Sequence, residues 1–149
     1  MAQGRLAMRT VSDILRYKGS DVVSVSPDDT VLHALGIMAE HDIGAVVVLD
    51  DARLVGILTE RDYARKVVLL GRSSRESAIR DVMTSQVICV APDNTIEPCM
   101  SMMTAKRVRH LPVKRGSRVA GLVSIGDLVQ ARLAEQEQTI EHLQQYIAG

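Results

Sequence analysis

The chain has 149 residues, 46% of them hydrophobic and 24% charged, which suits one globular domain or two half-domains sharing a core. Its 18 basic residues balance 18 acidic ones, so there is no global charge with which to hold nucleic acid or an anionic membrane. Phe and Trp are absent and Tyr occurs 3 times, so any bound base would lie between aliphatic side chains and not on aromatic platforms.

Residues 1–10 read as an N-terminal tail without the apolar core of a signal peptide. No apolar run reaches the roughly 18 residues that a bilayer span needs, and the cytoplasm is the expected location. After "VSDIL" (11–15), the stretch "DVVSVSPDDT" (21–30) is a short β-run ended by Pro27 and an Asp/Thr cluster. That cluster can cap a helix from about Val31 to Glu40, with Val31, Leu35, Met38 and Ala39 on one face. "IGAVVVLDDARLVGIL" (43–58) is a pair of buried strands around an Asp-Asp turn. A helix then starts near Thr59 and runs to about Leu70, where "GRSSRES" breaks it.

The same order then returns. At a shift of 65 (87 less 22), Val22 to Asp62 lies over Val87 to Asp127 without a gap. Pro27 meets Pro92, Thr30 meets Thr95, Met38 meets Met103 and Gly56 meets Gly121. "VSDIL" echoes "IRDVM" (79–83) at a slightly larger shift, and the last helix continues to about Tyr146. The expected segments are a tail (1–10), repeat one (11–70), a linker (71–78), repeat two (79–133) and a C-terminal helix extension (134–149). The expected fold class is α/β (α+β), with two β-α-β-β-α repeats packed about a pseudo-twofold axis. Neither repeat is long enough to bury much core alone.

Thr59 with Asp62, and Ser124 with Asp127, have the spacing of a capping box, which by itself explains a hydroxyl and a carboxylate three residues apart. The same spacing also suits a nucleotide. Each helix would begin directly after a buried strand and a Gly (Gly56, Gly121), where backbone can approach a ligand. Free N–H groups there receive an anion, and an Asp in the first turn can accept ribose hydroxyls. Arg109 and His110, in "KRVRHLPV", would offset a phosphate, or else form a solvated edge with Lys106, Arg107, Lys114 and Arg115.

Cys89, in a predicted strand, and Cys99, in a predicted helix, read as small buried hydrophobes. His33, His41, His110 and His142 lack metal-ligand spacing. No phosphate-cradling GxxxxGK loop or nucleophile elbow occurs, so the chain is not expected to be an enzyme.

"GILTERD" (56–62), "GLVSIGD" (121–127), "RHLPV" (109–113) and the Pro-Asp-x-Thr openings at Pro27 and Pro92 together resemble a pair of CBS domains, a Bateman module. "TERDYARKV", "RHLPV" and "SIGDLV" together resemble the stand-alone CBS-pair proteins of bacteria and plant organelles. The resemblance implies a regulatory module that binds AMP, or alternatively ADP, ATP, NAD or S-adenosylmethionine, and signals its level to an unidentified partner protein. Residue by residue, it implies that Thr59 and Asp62 hold the ribose of a first site whose phosphate meets Arg109 and His110. Ser124 and Asp127 match the ribose pair of a second site. Repeat one departs from the pattern at Gly44-Ala45-Val46-Val47, which carries no basic residue, so the second site is expected to be weaker or to take only a nucleoside. Arg61, Arg65 and Lys66 are further candidate phosphate contacts.

Val129, Leu133, Gln136, Ile140, Leu143 and Ile147 form a heptad seam that predicts a homodimer, the alternative being a helix folded back on its own domain. Two other functions compete: an interaction protein of the same fold without ligand, and a nucleic-acid binder using Arg107, Arg109, Lys114, Arg115 and Arg118. Zero net charge and the missing aromatics disfavour the second.

Overall fold

The computed structural model describes residues 8–148, so most of the expected tail and Gly149 lie outside the described residues. Among the described residues the chain is mixed α/β, with five α-helices, a three-stranded sheet and a two-stranded one. It divides into two units that do not follow the linear segments. Of the described residues, one takes those up to Asp21, Cys89–Arg115 and those from Ala120 onward, and the other takes Val22–Ile88 with Gly116–Val119.

The unit built on the first repeat holds β1 (Ser24–Val25), α2 (Val31–His41), β2 (Ala45–Asp50) and β3 (Arg53–Thr59). β1 pairs parallel with β2, and β2 antiparallel with β3. The run of Val46, Val47 and Val48 is fully buried, as expected of a strand covered on both faces. Val31, Ala34 and Met38 of α2 pack with Val25, Val46, Val48, Leu58, Val67, Ile79 and Val82 in one apolar cluster. The hairpin turns at Asp51 and Ala52, both at positive φ, as a two-residue turn between twisted strands requires. The helix expected from Thr59 begins as α3 (Glu60–Tyr63) and widens into a π-helix over Ala64–Val68.

The other unit holds α1 (Val11–Lys18), α4 (Ile96–Lys106), β4 (His110–Arg115), all of β5 (Arg118–Ser124) but its first two residues, and α5 (Ile125–Ala148). The sequence reading did not assign α1. Its N-terminus is another hydroxyl-x-x-Asp: the Thr10 side chain accepts from Asp13 N–H, and the Asp13 carboxylate accepts from Thr10 N–H. The echoing segment at 79–83 begins after Ala78, which has no side-chain cap, and makes only a short 3-10 turn over Ile79–Asp81.

The strand expected around Cys89 is reduced to a single parallel bridge between Val90 and Val113. Val90 N–H donates to Pro112 O and Lys114 N–H to Val90 O. The next bond of a parallel ladder would need an N–H from residue 112, and proline has none. In repeat one that place belongs to Val47, and there a two-residue strand forms.

Each repeat is completed by the leader of the other. Val11 N–H donates to Asn94 O and Ser12 N–H to Pro92 O, while Ile79 N–H donates to Asp29 O and Arg80 N–H to Pro27 O. A Cβ built on Gly121 would stand 2.6 Å from a methyl of Leu15, and one on Gly56 would stand 2.5 Å from Sδ of Met83. The docking of these leaders is by itself a reason for the repeated glycine, since the Leu15 and Met83 side chains occupy the space a Cβ would need. Leu15 and Met83 are the equivalent last residues of the two leaders.

Candidate functional site

Asp62 is the one polar residue among the described residues that the fold buries, at 7% exposure. Its Oδ2 accepts from Thr59 N–H (3.0 Å) and from the Thr59 hydroxyl (3.1 Å), and Asp62 N–H donates back to Thr59 Oγ1. Its Oδ1 accepts from the Thr84 hydroxyl at 3.1 Å and lies 3.1 Å from Lys66 Nζ. Lys66 also donates to the carbonyl of Val82 at 3.1 Å. Of the three extra phosphate candidates, Lys66 is thus already turned onto the carboxylate, whereas Arg61 and Arg65 are exposed.

Asp127 repeats the box with other partners. Its Oδ2 accepts from Ser124 N–H at 2.8 Å, and Asp127 N–H donates to Ser124 Oγ at 3.1 Å. The cation here comes from α1: Lys18 Nζ lies 2.7 Å from Asp127 Oδ2 and donates to the carbonyl of Leu122 at 3.0 Å. Lys18 thus performs for Asp127 the two tasks that Thr84 performs for Asp62, since Thr84 N–H donates to the carbonyl of Ile57, the counterpart of Leu122. Gly44-Ala45-Val46-Val47 offers Asp127 no basic residue, and the cation beside it comes from the leader helix instead. The sequence reading missed both Lys18 and Thr84, although the Thr10-x-x-Asp13 box marks the helix that carries Lys18.

Arg109 and His110 belong to the same unit as Ser124 and Asp127. Arg109 is exposed, and its carbonyl accepts from Ile125 N–H at 2.9 Å. Gly44, its counterpart, accepts from Glu60 N–H in the same way. Burial holds the His110 imidazolium below its ordinary pKa against the pull of Asp127, and Lys18 and Arg109 push in the same direction as burial. A depressed histidine pKa makes the folded state bind fewer protons than the unfolded one. The contribution is therefore whole above about pH 6.5 and is lost as pH falls below that through the lowered folded value. Stability of the parent should drop between pH 7 and pH 5, and His110→Gln should flatten part of that slope in urea titrations. An unchanged slope would show that His110 does not report this environment.

Burial raises the thiol pKa of both Cys89 and Cys99, and neither thiol is in a disulfide. Among the described residues no group of His, Cys, Asp and Glu is arranged to hold a metal, and no helix is long and apolar enough to cross a membrane.

The repeated leader, helix, hairpin and capped helix define a class, and comparison with known proteins names it. The family model described as CBS domain matches residues 11–69 and again 79–134. The chain belongs to the CBS-domain family and carries its repeat twice. It is 37% identical to the CBS domain-containing mitochondrial protein CBSX3 of Arabidopsis thaliana, over 100% of this chain and 77% of that one. A solved structure from Burkholderia ambifaria, described as a signal-transduction protein with CBS domains, has 46% identity and a TM-score of 0.82, covering 85% of this chain and 96% of that one. A CBS-domain protein of Agrobacterium tumefaciens has 41% identity and a TM-score of 0.80, covering 89% and 98%.

Proposed function

We propose that the chain is a regulatory module, not an enzyme, that binds an adenosine-containing nucleotide, AMP first among them, and passes its level to another protein. In this reading Thr59 and Asp62 hold the ribose of the main site, and Arg109 and His110 offset its phosphate. Ser124 and Asp127 serve a second site. CBS domains commonly bind adenosine ligands, and this chain carries two of them. The observation that carries the reading is local: each helix start presents a hydroxyl and a carboxylate straight after a buried strand, with an ammonium within 3.1 Å of the carboxylate. An ammonium so placed can turn to a phosphate while the carboxylate turns to ribose hydroxyls. We also propose that the working form is a homodimer in which ligand shifts the balance between two arrangements.

One competing reading has support of its own. Asp62 is already saturated by Thr59, Thr84 and Lys66, so the same residues would serve a ligand-free interaction protein equally well as helix caps. Ligand binding separates the two. A nucleotide bound only by the folded state at 100 times its dissociation constant adds about 2.7 kcal/mol, or roughly 5–10 °C in melting temperature at this size. That shift is expected with AMP, and none with a short RNA. A melting curve unmoved by millimolar AMP, ADP, ATP, NAD and S-adenosylmethionine would leave the interaction protein as the correct reading.

A further inference from the structure

α5 has two apolar faces and uses only one. Leu128 and Ala131 are fully buried in its own unit. The other face leaves Val129, Leu133, Ile140, Leu143 and Ile147 between 41% and 82% exposed, so the helix is not folded back over these residues. We infer that this face joins two copies of the chain as a parallel, in-register, two-stranded coiled coil. The inference rests on the homodimer reading and adds to it the contact surface, the orientation and the register.

Position by position, Leu133, Ile140 and Ile147 fall at a, and Val129, Gln136 and Leu143 at d. Isoleucine at a with leucine at d, as at Ile140, Leu143 and Ile147, is the pattern that favours two parallel strands. The flanks decide between orientations. In a parallel pair a g residue faces the e residue of the next heptad, so Arg132, whose guanidinium lies 3.2 Å from exposed Glu97 of its own chain, also stands beside the second copy's Glu137 and sets no like charge against it. In an antiparallel pair that matches a with d, residue numbers facing one another along the e edge sum to 274, so Glu137 would face the second copy's Glu137. Gln136 agrees: parallel strands place it beside its own copy, where two amides can bond each other, whereas antiparallel strands place it against Ile140. A lone polar core position of this kind fixes register. An anionic lipid surface is a poor occupant, because after Arg132 the helix carries Glu135, Glu137 and Glu141 and no Lys or Arg.

The test has two stages on the full chain. Light scattering should give twice the chain mass of 16.3 kDa, and Leu133→Glu with Ile140→Glu should weaken association by about a hundredfold or more while leaving the fold's circular dichroism intact, since both sites are over half exposed. Chains carrying Gln136→Cys and Ile140→Cys, one with a mass tag, are then mixed and mildly oxidised beside the parent. Links of 136 to 136 and of 140 to 140 support the parallel register. Links only of 136 to 140 mean antiparallel strands and overturn it. A dimer that survives the double glutamate substitution overturns the coiled coil but keeps the homodimer, and a single-chain mass overturns both.

Discussion

Replacing Asp62 with alanine should destabilise the fold by about 2–4 kcal/mol, lowering the melting temperature by roughly 5–15 °C without any ligand present. Removing this buried carboxylate strands the Thr59 N–H, the Thr59 and Thr84 hydroxyls and the Lys66 ammonium together. Lys66 softens the loss, because it is 41% exposed and keeps its bond to the Val82 carbonyl. Asp127→Ala removes a similar capping box, but from a side chain that is 20% exposed and whose lysine partner is 38% exposed. Its cost should be nearer 1–2 kcal/mol, that of a lost cap and a screened ion pair. The ordering is the prediction. Chemical denaturation of the two variants side by side measures it, and equal losses would mean that burial does not separate the two carboxylates.

That difference was only partly written in the linear sequence. The two boxes were visible because a capping box is local, with both halves within three residues. The repeat was visible because a constant shift superposes prolines, glycines and apolar positions together. Lys18 was not, since it reaches Asp127 across 109 positions, and nothing in local spacing says on which repeat a leader will dock. The echo of "VSDIL" in "IRDVM" revealed two leaders but not their exchange. Leu15 beside Gly121 and Met83 beside Gly56 became intelligible only once the backbones were in place. The strand lost at Cys89 was legible after all. Pro112 stands inside the quoted "RHLPV", and its missing N–H forbids the bond that would have extended the ladder past Val90.

Arg109→Ala should weaken AMP binding by roughly 10- to 100-fold while moving the ligand-free melting temperature little. The fold uses Arg109 through its backbone carbonyl, which accepts from Ile125 N–H and survives the substitution, while its side chain lies exposed. Exposed substitutions of this kind cost within about 0.5 kcal/mol. A guanidinium on a phosphate makes charge-assisted hydrogen bonds worth about 1.5–3 kcal/mol each, which sets the size of the binding loss. Adenosine, which has no phosphate, should bind parent and variant alike, so the AMP-to-adenosine ratio isolates the charge from everything else. Lys18→Met probes the second carboxylate by the same logic: with the ammonium gone from 2.7 Å, Asp127 is left for ribose hydroxyls alone, and the preference should move toward adenosine. Calorimetry with both ligands on parent, Arg109→Ala and Lys18→Met gives the three ratios. An AMP-to-adenosine ratio unchanged by Arg109→Ala would remove the arginine from the phosphate and return it to a solvated edge with Lys106, Arg107 and Lys114.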